Sequence, residues 1–125
     1  MDRRIEQARE SWFENHPFDP RKNASLAHDE DGTPAGFITL PDMGEMSVIA
    51  VKYGYEFLAA VRTDDDVDEW LENINRTAES PDLAGIMLAH AFRGIAPIVG
   101  QIIDKDLGLA ETMKTISAEG WEQEF

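Results

Sequence analysis

The sequence contains no cysteine, and this absence removes several classes of chemistry. Disulfide bonds, thiolate catalysis, cysteine-based zinc sites and cysteine-ligated iron–sulfur clusters all need that residue, so none of them is available to this chain. The first seven residues, Met1 to Gln7, also lack the apolar stretch of a secretory signal. Both absences are compatible with a cytoplasmic protein, which is the location we predict.

The sequence also lacks the common catalytic and phosphate-binding motifs. GxxxxGKS/T, GxGxxG, GxSxG and HExxH do not occur. Histidines and carboxylates are frequent between positions 16 and 31, but their spacing matches no metal-binding pattern. Calcium-loop spacing fails from Asp64 and from Asp104, because neither segment has glycine at its sixth position. We therefore predict no catalytic residue, no cofactor and no metal site.

Basic residues are scarce: 11 lysines and arginines stand against 25 aspartates and glutamates, for a formal net charge of −14. Such a charge disfavours binding to nucleic-acid phosphates, which requires lysine and arginine to displace counterions. It also disfavours docking to an anionic membrane surface. The same charge speeds encounters with cationic proteins, so a basic protein is the predicted partner.

The charge is distributed unevenly along the chain. Residues 1–28 hold five acidic and five basic side chains, whereas residues 29–82 hold fourteen acidic and three basic ones. Residues 83–103 contain no acid and one base, Arg93, and residues 104–125 are acidic again. One apolar segment thus lies within an acidic protein, which indicates a negatively charged surface around an apolar core.

The spacing of apolar residues predicts a mainly α fold of five or six helices packed around a central apolar helix at 83–103. The length fits a single domain over residues 1–125. The predicted helices cover residues 3–14, 43–62, 65–78, 81–92, 95–104 and 107–118. The residues predicted to cap helix N-termini are Asp2, Asp42, Asp64, Ser80 and Asp106.

Residues 15–36 are predicted to form a long irregular loop, because turn and breaker residues are frequent there. Residues 36–40 resemble a strand but have no obvious partner, and an isolated strand leaves its backbone groups unsatisfied. An alternative is a short β-hairpin at 36–52 that pairs 36–40 with 46–52, which would make the fold α+β. A helix over 43–62 is preferred, because its apolar residues share one helical face.

The span 83–103 is long enough to cross a bilayer, but we predict a buried core helix. Its one charge, Arg93, would be costly within a membrane, and Asp82 and Asp104 flank the span in place of basic residues. Arg93 is expected either to reach the surface or to pair with a carboxylate. The candidate carboxylates are Glu45, Glu56 and Asp68. Together with His90, Arg93 could instead line a ligand pocket, and this alternative stays open.

The leading functional prediction is a non-enzymatic module that binds a basic protein through an acidic face. Such a module would cover a basic surface of its partner, as an inhibitor, an immunity protein or a small phage protein does. One alternative is an assembly subunit that forms homo-oligomers, and another is a ligand-binding domain or small enzyme with a pocket at His90 and Arg93. The predicted partner-binding residues are Asp64, Asp65, Asp66, Asp68, Glu69 and Glu72.

Overall fold

The computed structural model describes residues 2–21, 23–28 and 34–123, with the backbone alone described at 23–28 and 34–40. This part of the chain forms five helices and a two-stranded antiparallel hairpin. In chain order the elements are α1 (Arg3–Asn15), β1 (Asn23–His28), β2 (Pro34–Leu40), α2 (Met43–Ala60), α3 (Asp64–Ala78), α4 (Pro81–Asp104) and α5 (Leu107–Glu122). The prediction of a mainly α helical bundle is confirmed.

Side-chain caps define where the helices begin. Four predicted caps accept hydrogen bonds from the backbone of the first helical turn: Asp2, Asp42, Ser80 and Asp106. α3 differs from the prediction, since Thr63 and not Asp64 is its cap. Thr63 and Asp66 form a reciprocal capping box, in which each side chain accepts the backbone N–H of the other.

The core lies where α2, α3 and α4 meet. Met46 of α2, Trp70 of α3 and Met87 of α4 are almost completely buried. Trp70 donates a hydrogen bond from Nε1 to the carbonyl oxygen of Tyr53 at 2.9 Å, so its polar atom is satisfied inside the core. Burial of these large apolar groups provides the main driving force for packing the three helices together.

Two glycines let α2 and α4 approach each other closely. A Cβ atom on Gly54 would lie 2.7 Å from Ile95 Cγ2 and 2.9 Å from the carbonyl oxygen of Ala91. A Cβ atom on Gly94 would lie 2.8 Å from Val51 Cγ2. Optimal contacts between carbon atoms are about 3.5–4.0 Å. The crossing of α2 and α4 therefore depends on the absence of a side chain at both positions.

α4 is central, as predicted, because it packs against α2, α3 and α5. It is less buried than predicted, however. Its buried residues form a single stripe that consists of Leu83, Ala84, Met87, Ala91 and Ile95. Beyond Ile95 no described residue of α4 is buried, and Ile102 is 58% exposed. The prediction of a buried core helix is therefore correct only for this stripe, because the neighbouring helices bury one face of α4 and only as far as Ile95.

α4 also continues through the position where a break is predicted. Gly94 and Pro97 both lie inside the one helix from Pro81 to Asp104. Proline removes one backbone donor and crowds the preceding turn, but it does not end this helix. The predicted helices at 81–92 and 95–104 are therefore one element.

The segment at 15–36, predicted as an irregular loop, contains β1 and the start of β2. The two strands are antiparallel, with Asn23 opposite Leu40 and Leu26 opposite Phe37. The strand at 36–40 thus has a partner that precedes it in the chain, and residues 29–33 between them lie outside the described residues. β1 contains no Val, Ile, Thr, Phe, Tyr or Trp, so its composition did not indicate a strand.

The alternative hairpin that pairs 36–40 with 46–52 is wrong. Residues 46–52 belong to α2, which runs from Met43 to Ala60. The N-cap at Asp42 and the burial of one α2 face favour the helix over a second strand.

Candidate functional site

The predicted partner-binding surface is located on α3. Four carboxylates lie on the side of the helix opposite its buried stripe, and Asp64 lies at the start of the helix. We call these five the acidic face: Asp64, Asp65, Asp68, Glu69 and Glu72. On the other side of α3, Trp70, Ile74 and Ala78 are buried. Core packing and the capping box at Thr63 therefore hold the acidic face in a defined orientation.

Three members of the acidic face are available to a cation. Asp64, Asp65 and Asp68 are exposed, and none of them makes an ion pair with a described residue. Glu72 differs, since it accepts a hydrogen bond from Arg76 at 2.6 Å one turn further along. Both partners of that pair are exposed, so its contribution to stability is below about 1 kcal/mol.

Asp66, the sixth predicted partner-binding residue, has a structural role instead. Its Oδ2 accepts the backbone N–H groups of Arg62 at 3.1 Å and of Thr63 at 3.2 Å. The hydrogen bond from Arg62 and then that from Thr63 favour the ionised carboxylate, and they lower the pKa of Asp66. Asp66 therefore stabilises the start of α3, and we leave it out of the acidic face.

The other predicted site, at His90 and Arg93, does not coincide with a groove of α1. Arg93 is exposed, His90 is half-buried, and neither lines any of three grooves that residues of α1 help to form. Of the two outcomes expected for Arg93, the structure has the one in which the side chain reaches the surface. Glu56, one candidate partner for Arg93, pairs with Arg9 instead.

Exposed apolar residues are concentrated on the C-terminal part of α4 and on α5. Ile102 is 58% exposed, Met113 is 41% exposed and Ile116 is 56% exposed. Although α5 packs against α4, none of its described residues is buried. We call Ile102, Leu109, Met113 and Ile116 the uncovered apolar residues. Groups of this kind are often covered by another molecule.

α4 also has the length and composition of a membrane-spanning helix. It has 24 residues, with a mean hydropathy of 1.5 in its most apolar window, and 17% of that window is buried. A core helix in a water-soluble protein meets the same criteria, so this property alone does not distinguish the two. The absence of membrane association therefore stays a prediction.

Sequence analysis missed a groove between α1 and α2. The groove has a volume of about 310 Å³, and an ion pair between Arg9 of α1 and Glu56 of α2 forms part of its wall. Glu56 is only 7% exposed. The sequence did contain an indication of this ion pair. Glu56 lies seven residues after Ile49 and three residues after Tyr53, and it therefore shares their apolar face of α2. A carboxylate on such a face indicates a buried partner.

Two effects act on the pKa of Glu56 in opposite directions. Burial removes water from the carboxylate and raises its pKa, while the hydrogen bond and the charge of Arg9 lower it. Burial is the larger effect, so the pKa of Glu56 lies above its usual value. The nearby Tyr53 hydroxyl is 2.7 Å from Thr77 Oγ1, and burial raises the pKa of Tyr53 as well.

Trp12 lies at the junction of two grooves. It lines the groove against α2 and also a neighbouring groove of about 530 Å³ that includes Pro17 and Val48. Lys52 Nζ lies 4.0 Å from the centroid of the Trp12 ring, and the His16 ring stacks on Trp12 with centroids 3.7 Å apart. The Trp12 Nε1 atom is buried and has no hydrogen-bond acceptor among the described residues.

No family model, curated protein or solved structure matches this chain. Functional proposals therefore depend on the geometry of three places: the acidic face of α3, the uncovered apolar residues of α4 and α5, and the groove between α1 and α2. None of the described residues forms a cluster of three or more side chains suited to hold a metal ion.

Proposed function

We propose that the protein is a non-enzymatic module that binds a basic protein through the acidic face of α3. The observation that supports this most directly is the exposure of Asp64, Asp65 and Asp68 without cationic partners among the described residues. The three carboxylates lie on a helix held by a buried stripe. Their backbone is therefore already ordered, and binding costs little further conformational entropy.

The charge of the whole molecule supports the same function. The net charge of −14 attracts a cationic partner before contact, and the block at 29–82 holds most of it. Such attraction raises the association rate and disfavours anionic partners. A protein of this kind would cover a basic surface, as an inhibitor, an immunity protein or a small phage protein does.

The test replaces the three unpaired carboxylates of the acidic face with amides of similar size, Asp64→Asn, Asp65→Asn and Asp68→Asn. Wild-type and variant proteins are each used to capture partners from an extract of the native host, and the captured protein is identified and purified. We expect a basic protein whose Kd for the variant is about tenfold weaker. We also expect its Kd for the wild type to weaken between low and moderate salt, because ions screen exposed charges.

A matched control removes the same number of charges elsewhere. Glu10, Glu14 and Glu122 are exposed on α1 and α5, and their replacement with glutamine leaves the acidic face unchanged. This control should bind nearly as tightly as the wild type. Equal weakening in the two variants, or a Kd that does not change with salt, would contradict a specific role for the acidic face. Thermal denaturation confirms that both variants remain folded.

A second candidate function is self-assembly, which the uncovered apolar residues favour. The span 83–103 contains no carboxylate, so two copies that meet there avoid the repulsion expected elsewhere on an acidic protein. Ile102 also lies on the same side of α4 as the buried residues Ala91 and Ile95. A second copy would therefore extend a surface that is already suited to helix packing.

A further inference from the structure

The groove between α1 and α2 has the size and lining of a small-molecule site. Its volume of about 310 Å³ lies at the lower end of the range of roughly 300–1,000 Å³ that is typical of ligand pockets. Most of its wall is apolar, with contributions from Ile5, Ala8, Phe13, Ile49 and Ala59. An apolar wall with a few polar groups at defined positions favours a ligand that is mainly apolar and has one polar end.

The first polar group to consider is the indole N–H of Trp12, a residue that lines this groove. An indole Nε1 can only donate a hydrogen bond, and this one is buried without an acceptor among the described protein atoms. Leaving a buried donor unsatisfied costs about 1–3 kcal/mol. Because Nε1 is closed to solvent, a ligand oxygen would reach it only after a small shift of the Trp12 ring, and accepting this hydrogen bond would then recover that free energy. The site therefore favours an acceptor and not a donor.

The second is the charge of Lys52. Arg9 and Glu56 pair with each other, which leaves Lys52 as the charge in the groove lining without an opposite partner among the described residues. The lining therefore carries one positive charge, in a protein whose net charge is −14. This local reversal of sign favours an anionic ligand at the place where Lys52 lies over the Trp12 ring.

We infer that this groove binds a small monocarboxylate whose apolar body lies along α1 and α2. Its carboxylate would accept the Trp12 indole N–H and lie beside the Lys52 ammonium. Both groups are needed for this selectivity, because an indole donor alone would also donate to the oxygen of an alcohol or a ketone. The carboxylate supplies the acceptor and the negative charge in one group, and a hydrogen bond to an ionised acceptor is stronger than one to a neutral acceptor.

Octanoate is a suitable probe, with octan-1-ol and octylamine as its neutral and cationic counterparts. Each is titrated into the ¹⁵N-labelled wild-type protein while the indole N–H signals are followed by NMR. Octanoate should shift the Trp12 indole signal in a saturable way, and the two counterparts should bind more weakly. The Trp70 indole already donates to the Tyr53 carbonyl and serves as an internal reference. A Trp12→Phe variant assigns the Trp12 signal by its loss.

Two matched lysine variants test whether the positive charge of Lys52 contributes to octanoate binding. Lys52→Gln should weaken octanoate binding about two- to fivefold, because Lys52 is exposed and its interaction is partly screened. Lys114→Gln removes an exposed lysine from α5 and should leave the Kd unchanged. Equal Kd values for the two variants, or equal binding of octanoate and octan-1-ol, would overturn the assignment of a carboxylate. A Trp12 signal that stays in place during the octanoate titration would overturn the site itself.

Discussion

Glu56 of α2 is an ionisable residue whose side chain is buried next to the core. Burial raises the pKa of this carboxyl above its usual value, and the hydrogen bond from Arg9 only partly offsets that rise. The folded protein therefore binds this proton more tightly than the unfolded chain does. Between the ordinary and the raised pKa, the contribution of Glu56 to the free energy of unfolding decreases as the pH rises.

The Arg9→Ala variant tests this ion pair. We expect it to lower the free energy of unfolding by about 1–3 kcal/mol near pH 7, because Glu56 would remain buried without its hydrogen-bond donor. The loss should be smaller near pH 4, because protonation of Glu56 removes the buried charge that Arg9 neutralises. Urea denaturation at the two pH values measures both quantities.

Arg4→Ala provides the matched control, since Arg4 is an exposed arginine on the same helix. Its effect should stay below about 0.5 kcal/mol. Similar losses from the two variants, or an Arg9→Ala loss that does not depend on pH, would show that the ion pair has no special role. Glu56→Gln should also flatten the pH dependence described above, because glutamine does not titrate.

At the scale of the elements, the packing of α2 on α4 shows where local patterns are insufficient. α4 has two pairs of small residues four positions apart, Gly85 with Ala89 and Ala96 with Gly100, and this pattern allows another helix to approach closely. Apart from the nearby chain and backbone of α4 itself, no atom of the described residues lies within 4 Å of a Cβ built at either glycine, whereas Gly54 and Gly94 are the positions of close contact. Small residues show where a helix can approach closely, but only the packing decides which face it uses.

Substituting alanine at two glycines separates packing from helix propensity. Gly54→Ala should lower the free energy of unfolding by about 1–3 kcal/mol, because the new Cβ would collide with Ile95 and with the Ala91 carbonyl. Gly85→Ala has space around it and should raise stability by roughly 0.5–1 kcal/mol. Thermal or urea denaturation measures both changes, and changes of the same sign would contradict the close approach of α2 to α4.

At the scale of the whole molecule, the question is whether the uncovered apolar residues are covered by a second copy. If they are, light scattering should show a mass that increases with protein concentration and changes little with salt. Ile102→Glu should then weaken association about tenfold or more, because a carboxylate would enter a buried contact at a cost of at least about 1–3 kcal/mol. In the monomer the same substitution should cost little, because Ile102 is 58% exposed.

Ile86→Glu is the control for self-assembly. Ile86 is 40% exposed on the same helix but lies on a different side from Ile102. The Ile86→Glu substitution should leave the association of two copies unchanged. A wild-type protein that stays monomeric at every concentration, or equal effects of the two glutamate variants, would exclude self-assembly through Ile102. The acidic face would then remain the favoured interaction surface.

The sequence by itself determined where the helices lie, apart from the break predicted within α4, and it also determined most of their caps and the negative net charge. Capping and the spacing of apolar residues act within a few positions along the chain, so they can be identified without the fold. Only the tertiary structure decided which face of α4 is buried, that Glu56 pairs with Arg9, and that a groove opens beside Trp12. Arg9 and Glu56 are 47 residues apart in the chain, and only packing brings such distant residues together.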